Sequence, residues 1–218
     1  DVGHSLMIGP TGAGKSVHLN CIEAAFRKYK NARVIIFDKG ASSKILTMGV
    51  GGKFYDIGRS RSLSFQPLAH IDDEDERQWA LDWLCDYLRE EGIDVTPEQK
   101  GIMRDSLATV AGVKESDRTM TTFISFLQSR ELKTAFYPMS LADDQGNKGE
   151  YGEIFDSSED HLSITSWQSF EMETLMNARR IVGTTLMYIF HRIEQVVKSA
   201  EKKNQEPTLI VLDECWVF

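Results

Sequence analysis

Short apolar runs alternate along the chain with segments of helical periodicity. Continuous apolar runs cover Ser5–Ile8, Arg33–Phe37 and Thr208–Leu212, Lys53–Ile57 forms a further short run, and 161–167 alternates like a strand. Continuous runs are typical of strands buried on both faces, because the helices of an α/β fold cover both sides of a parallel sheet. The pattern therefore predicts a parallel sheet, with the strand 208–212 in its middle.

Helical spacing dominates the segments between these strands. It follows the first run over 17–26, occupies most of 72–136, including a short helix at Met120–Leu127, and returns over 186–200. Thr96 followed by Pro97 predicts a helix start, because proline suits the first helical position. The stretch 142–152 is rich in glycine, asparagine and aspartate, and it predicts an exposed loop.

Five consecutive acids at 72–76 precede tryptophans at helical core spacing. They invite a metal-site interpretation, but acids in a first helical turn also complement the helix dipole. We therefore interpret them as structural, and we expect His191 and Arg192 likewise only to cap or pack their helix.

Composition bounds the functional classes. With 218 residues, 41% hydrophobic and 27% charged, the chain can bury a core as one domain or as one with an insertion. The net charge of -8 argues against a polyanion-binding surface over the whole chain, while a local basic groove stays open. The first residue is not methionine, so we interpret the chain as part of a longer protein.

The cysteines and the hydropathy point to a reducing, aqueous environment. Cys21, Cys85 and Cys215 are far apart and form no CxxC pair, which favours buried thiols over a zinc site or disulfides. No apolar run reaches the roughly 18 residues that a membrane span needs. We therefore expect a soluble protein.

The segment Gly9–Ser16 satisfies the rule GxxxxGK[ST] between a predicted strand and a predicted helix. In that context backbone N–H groups of 12–16 wrap a β-phosphate at the positive helix end, and Lys15 reaches the β- and γ-phosphates. The predicted nucleotide-binding residues are Gly9, Pro10, Thr11, Gly12, Ala13, Gly14, Lys15, Ser16 and Val17.

Two other interpretations of the glycines fit this segment poorly. An ordinary glycine turn does not account for the Lys15-Ser16 pair. A dinucleotide site, with Asp38 as the ribose-binding acid, requires GxGxxG, whereas these glycines fall as GxxGxG.

Asp213 and Glu214 follow four apolar residues, Leu209 to Leu212. An acidic pair at a strand end is weak evidence alone, but a P-loop enzyme needs one carboxylate near Mg²⁺ and one to activate water. We assign Ser16 and Asp213 to the metal, and Glu214 with Lys15 to catalysis. The chain has no guanine-specifying Asn-Lys-x-Asp, so ATP with Mg²⁺ is the expected substrate.

Together with the motifs at 3–16, 37–40 and 212–216, the segments 54–58, 170–176 and 190–194 resemble the conjugative type IV secretion ATPases. The resemblance implies a RecA-like P-loop fold of class α/β, with a parallel sheet and a mostly helical insertion, ending here after the strand that precedes the acidic pair. It divides the chain into a core segment 1–71, an insertion 72–136 and a return to the core at 137–218. Cys215 stands where the family usually has alanine.

The same resemblance implies a hexameric ring that contacts secretion-channel components in the cytoplasm, at the bacterial inner membrane. In this interpretation ATP turnover powers pilus assembly or substrate transfer. Two alternatives stay open from sequence. One is a DNA-translocating ATPase of the coupling-protein or FtsK/HerA type, in which case nucleic acid is a partner, and the other is a nucleotide-binding scaffold with little turnover.

Overall fold

A computed structural model describes residues 3–57, 63–141, 147–177, 180–201 and 207–213. The chain forms two compact units. We call the first the sheet unit; it comprises Asp1–Ile57, Ile164–Asn177 and Ile193–Phe218. The second, the helical unit, comprises Gly58–Ser163 and Ala178–Arg192.

The described elements, in chain order, are α1 Lys15–Phe26, β1 Arg33–Asp38, α2 Lys44–Gly49, β2 Lys53–Asp56, α3 Glu74–Glu90, α4 Pro97–Ala111, α5 Met120–Phe126, α6 Arg130–Phe136, α7 Gly152–Phe155, β3 Trp167–Glu171, α8 Glu173–Asn177, α9 Val182–Glu201 and β4 Thr208–Leu212. Single turns of 3₁₀ helix lie at Glu115–Asp117 and Tyr137–Met139.

The sheet unit contains a parallel sheet with the strand order β2-β3-β1-β4. The strand β1 is central, and every residue from Val34 to Asp38 is buried, as its apolar run predicts. The predicted α/β class with a parallel sheet is therefore confirmed.

Each face of β1 packs against a different set of apolar side chains. On one face Val34 and Ile36 join Trp167 and Val211 in a cluster that also receives side chains from α1 and α2. On the other face Phe37 stacks on Phe170 of β3, with ring centroids 5.1 Å apart. Helix and strand packing on the two faces explains why the run 33–37 has no polar alternation.

Three strand predictions need correction. Ser5–Ile8 is not a strand, and Leu6 and Ile8 are 74% and 84% exposed, because no described strand lies beside it to complete a hydrogen-bonded ladder. The strand predicted at 161–167 begins only at Trp167. β4 lies at the edge of the described sheet rather than in its middle, and Ile210 and Leu212 are exposed there.

The helical unit confirms the helical periodicity of 72–136. Asp73 caps α3 by accepting hydrogen bonds from the backbone N–H groups of Asp75 and Glu76, so the acidic run does serve a helix start. Thr96 and Gln99 form a capping box, with Pro97 as the first residue of α4. Such reciprocal bonds satisfy N–H groups that a helix end otherwise leaves unpaired.

His191 and Arg192 make structural contacts within the helical unit, as expected. The ring of His191 stacks on Trp79 at a centroid distance of 3.8 Å, and its Nε2 lies 2.9 Å from Glu76. Arg192 forms an ion pair with Asp160 at 2.7 Å. Both residues therefore tie α9 to the rest of their unit.

The predicted thiol burial holds for only one described cysteine. Cys85 is buried in α3, but Cys21 on α1 is exposed, and Cys215 lies outside the described residues. Within the predicted loop 142–152, residues 142–146 also lie outside them. Within the described ranges, no helix combines the length and hydropathy needed to cross a membrane.

Candidate nucleotide-binding site

The glycine-rich segment turns directly into the N-terminus of α1. Gly12 and Gly14 have φ angles of 81° and 82°, a region that glycine adopts without steric cost. The N–H of Ala13 donates to the carbonyl of Pro10 at 3.2 Å and closes the turn. No described side chain caps α1, so its first N–H groups lie at an exposed loop with the partial positive charge of the helix end.

Lys15 lies over the loop to which it belongs. Its Nζ donates to the carbonyl oxygens of Gly9 at 2.9 Å and Pro10 at 3.1 Å. This places the ammonium group beside the loop backbone, where the motif puts the phosphates. Val17, by contrast, points largely to solvent, at 67% exposure.

Ser16 and Asp213 are 197 positions apart and meet in the sheet unit, where Ser16 Oγ donates to Asp213 Oδ2 at 3.3 Å. The backbone N–H of Asp213 donates to the carbonyl of Phe37 at 2.8 Å, which continues the β1–β4 ladder past Leu212. The sheet register therefore sets the distance between the two predicted metal ligands.

A hydroxyl and a carboxylate suit Mg²⁺. This ion prefers oxygen ligands and usually takes one or two protein carboxylates together with water and substrate phosphates, rather than an all-protein cage. In keeping with that, the described residues contain no group of three or more His, Cys, Asp or Glu arranged to hold a metal. Glu214, the predicted water-activating residue, lies outside the described residues.

Asp38 does not form a ribose-binding site. It is fully buried, and its carboxylate accepts hydrogen bonds from Ser42 Oγ at 2.8 Å and from the backbone N–H and Oγ of Ser43 at 2.8 and 2.9 Å. With both oxygens engaged, it stabilises the turn between β1 and α2. The structure thus agrees with the rejection of the dinucleotide interpretation.

Sequence reasoning missed two polar residues on the sheet-facing side of α1. Asn20 Nδ2 donates to the carbonyl of Ser42 at 3.2 Å and ties the helix to the turn after β1. Glu23 is 1% exposed. The available signal was spacing, because both residues share a helix face with Ser16, at i+4 and i+7.

Burial raises the pKa of Glu23 to about 7, and the negative charges of Asp38 and Asp213 raise it further in the same direction. The acid interacts, therefore, with both strand-end carboxylates of this site.

Comparison with known proteins places the chain among secretion components. No protein-family model matches it. It is 36% identical over 226 residues to the conjugal transfer protein TrbE of Rhizobium radiobacter, across 100% of this chain and 26% of that protein. It is 34% identical over 224 residues to a probable conjugal transfer protein TrbE of Sinorhizobium fredii, across 100% of this chain and 32% of that protein.

More distant relatives agree. The type IV secretion system protein VirB4 of Bartonella henselae is 23% identical over 219 residues, across 99% of this chain and 26% of that protein. The solved structure of VirB4 from Thermoanaerobacter pseudethanolicus matches 95% of this chain and 59% of its own, with a TM-score of 0.71 at 18% identity, which shows a shared fold.

The chain spans 26% to 32% of the length of the TrbE relatives, and the alignments cover all of it. The chain therefore belongs to the family of conjugal transfer and type IV secretion proteins that includes TrbE and VirB4, and it matches one segment of those longer proteins.

Proposed function

We propose that the chain is the ATP-binding and ATP-hydrolysing segment of a conjugation or type IV secretion motor. The observation that carries the proposal is the hydrogen bond between Ser16, at the start of the P-loop helix, and Asp213, at the end of β4. It joins the two motifs that a Mg-ATP site needs, although they lie at opposite ends of the sequence.

Each residue then has a distinct task. The uncapped N–H groups of 14–16 and the positive end of α1 bind the phosphates, and Lys15 neutralises charge on the terminal ones. Ser16 and Asp213 would hold Mg²⁺, which, when bound, neutralises charge on the β- and γ-phosphate oxygens. Glu214, the next residue along the chain, polarises the attacking water.

The context of the motor is proposed from the names of the relatives. Conjugal transfer and type IV secretion proteins work with a channel through the bacterial envelope, so we place this chain in the cytoplasm against inner-membrane channel components. A hexameric ring, as the resemblance implies, would supply catalytic groups between neighbouring copies.

Nucleotide binding tests the first half of the proposal. Calorimetry with ATP and Mg²⁺ should show binding by the 218-residue chain that Lys15→Ala abolishes, because the substitution removes the cation that contacts the terminal phosphates. Lys28→Ala, which removes an exposed cation just beyond the end of the same helix, is the matched control and should bind normally. Equal ATP affinity in the parent and the Lys15 variant would refute the site.

Turnover tests the second half. In the assembled protein, Glu214→Gln should bind Mg-ATP but release phosphate at least ~100-fold more slowly, which is the usual scale for losing a general base. A variant that hydrolyses ATP at the parent rate would exclude Glu214 as the water-activating residue. A parent protein that binds ATP but does not turn it over would favour the assembly scaffold.

A further inference from the structure

Glu23 is a buried acid that the proposed mechanism does not use. It lies on α1, is 1% exposed, and its Oε2 has no hydrogen-bond partner among the described residues. Burying a carboxyl oxygen without a partner costs free energy. Its position therefore needs an explanation other than solvation.

Packing does not provide that explanation. Leu19 and Phe26, four residues before Glu23 and three after it, both pack against the apolar cluster of β1, β3 and β4. Residues at this spacing share one helix face, so Glu23 interrupts an apolar stripe. An aliphatic side chain would continue the stripe without the cost of removing a carboxyl from water.

The electrostatic surroundings of Glu23 point toward the nucleotide site. The described charged groups that act on it are Asp38 at the end of β1 and Asp213 after β4, and both are acidic. Asp213 also accepts the hydrogen bond from Ser16, the other proposed Mg²⁺ ligand. Three carboxyl groups from α1, β1 and β4 thus repel one another at the proposed metal site.

We propose that Glu23 raises the affinity of the nucleotide site for Mg²⁺ through its negative charge, without touching the ion. The inference rests on the proposed function. A divalent cation next to Ser16 and Asp213 offsets the repulsion among the carboxylates, so the cation stabilises the charge of Glu23 and the charge of Glu23 stabilises the cation. The unfavourable burial of the acid is then balanced in the Mg-nucleotide complex.

The test measures the Mg²⁺ dependence of ADP binding by calorimetry. Glu23→Gln removes the charge at nearly constant shape, and Glu23→Leu completes the apolar stripe, so at least one variant should fold even if a buried amide destabilises the other. Glu173→Gln, an exposed acid of the same unit, is the matched control. We expect both Glu23 variants to need about 10-fold more Mg²⁺ for half-maximal binding, while ADP binding in chelator and the control variant stay unchanged.

The outcomes separate the inference from the function on which it rests. If the parent and both Glu23 variants have the same Mg²⁺ midpoint, the inference is wrong and the nucleotide site stands. If the variants lose affinity equally with and without Mg²⁺, Glu23 only shapes the helix, and the inference is again wrong. If the parent shows no Mg²⁺-dependent ADP binding at all, both the inference and the proposed function fall.

Discussion

Removing the charge of Glu23 should make the protein more stable at alkaline pH. Burial, followed by the repulsion from Asp38 and Asp213, raises the pKa of this acid from 4.5 to about 7. Glu23→Gln cannot ionise, so it lacks the penalty that the parent protein incurs when this buried carboxyl loses its proton. The substitution therefore opposes the usual trend, in which changing a buried residue destabilises a protein.

The sign follows from proton linkage. Between pH 4.5 and about 7 the folded protein holds the Glu23 proton more tightly than the unfolded chain does. Stability therefore falls as pH rises through this range and stays low above it. At about 1.4 kcal/mol for each unit of pKa, the penalty reaches about 3 kcal/mol above the folded-state pKa.

Urea or thermal unfolding across pH measures this penalty directly. The free energy of unfolding of Glu23→Gln, minus that of the parent, should grow by about 2 to 3 kcal/mol between about pH 5 and pH 8. For a chain of this size that equals a relative gain of about 5 to 10 °C in Tm. Glu173→Gln, an exposed acid, should show no such trend. A difference that is flat across this range would refute the reasoning, whatever its absolute value.

Two further predictions concern the helical unit. Gly152→Ala should destabilise it by more than about 2 kcal/mol, because a Cβ at this position lies 2.1 Å from the carbonyl oxygen of Ser140. Gly101→Ala on α4, where a Cβ meets nothing within 4 Å, should instead stabilise it by about 0.5 to 1 kcal/mol. Urea midpoints decide both, and equal midpoints would contradict the packing around Gly152. Thr96→Ala removes one half of the capping box and should cost about 1 kcal/mol in the same assay, with the neighbouring Glu98→Ala expected to cost less.

The sequence determined the local features of this protein. Apolar runs and helical spacing predicted β1, β2 and the helices of 72–136, and Thr96 with Pro97 predicted the start of α4. The P-loop could be recognised because its chemistry requires adjacent residues, with glycines where φ is positive and Lys15-Ser16 at the helix start. These features depend on contacts within a few residues, so a local pattern is sufficient to define them.

Only the tertiary structure decided which distant segments meet. Strand order depends on pairings across long stretches of chain, which is why β4 is found at the edge of the described sheet and Ser5–Ile8 remains outside it. The register of β1 with β4 brings Asp213 to Ser16, whereas the acids alone indicated only a strand end. Glu23 reads locally as one polar residue of an exposed helix. Its burial against β1 and β4 makes it an acid with a raised pKa, because desolvation and charge repulsion depend on neighbours that the local sequence does not specify.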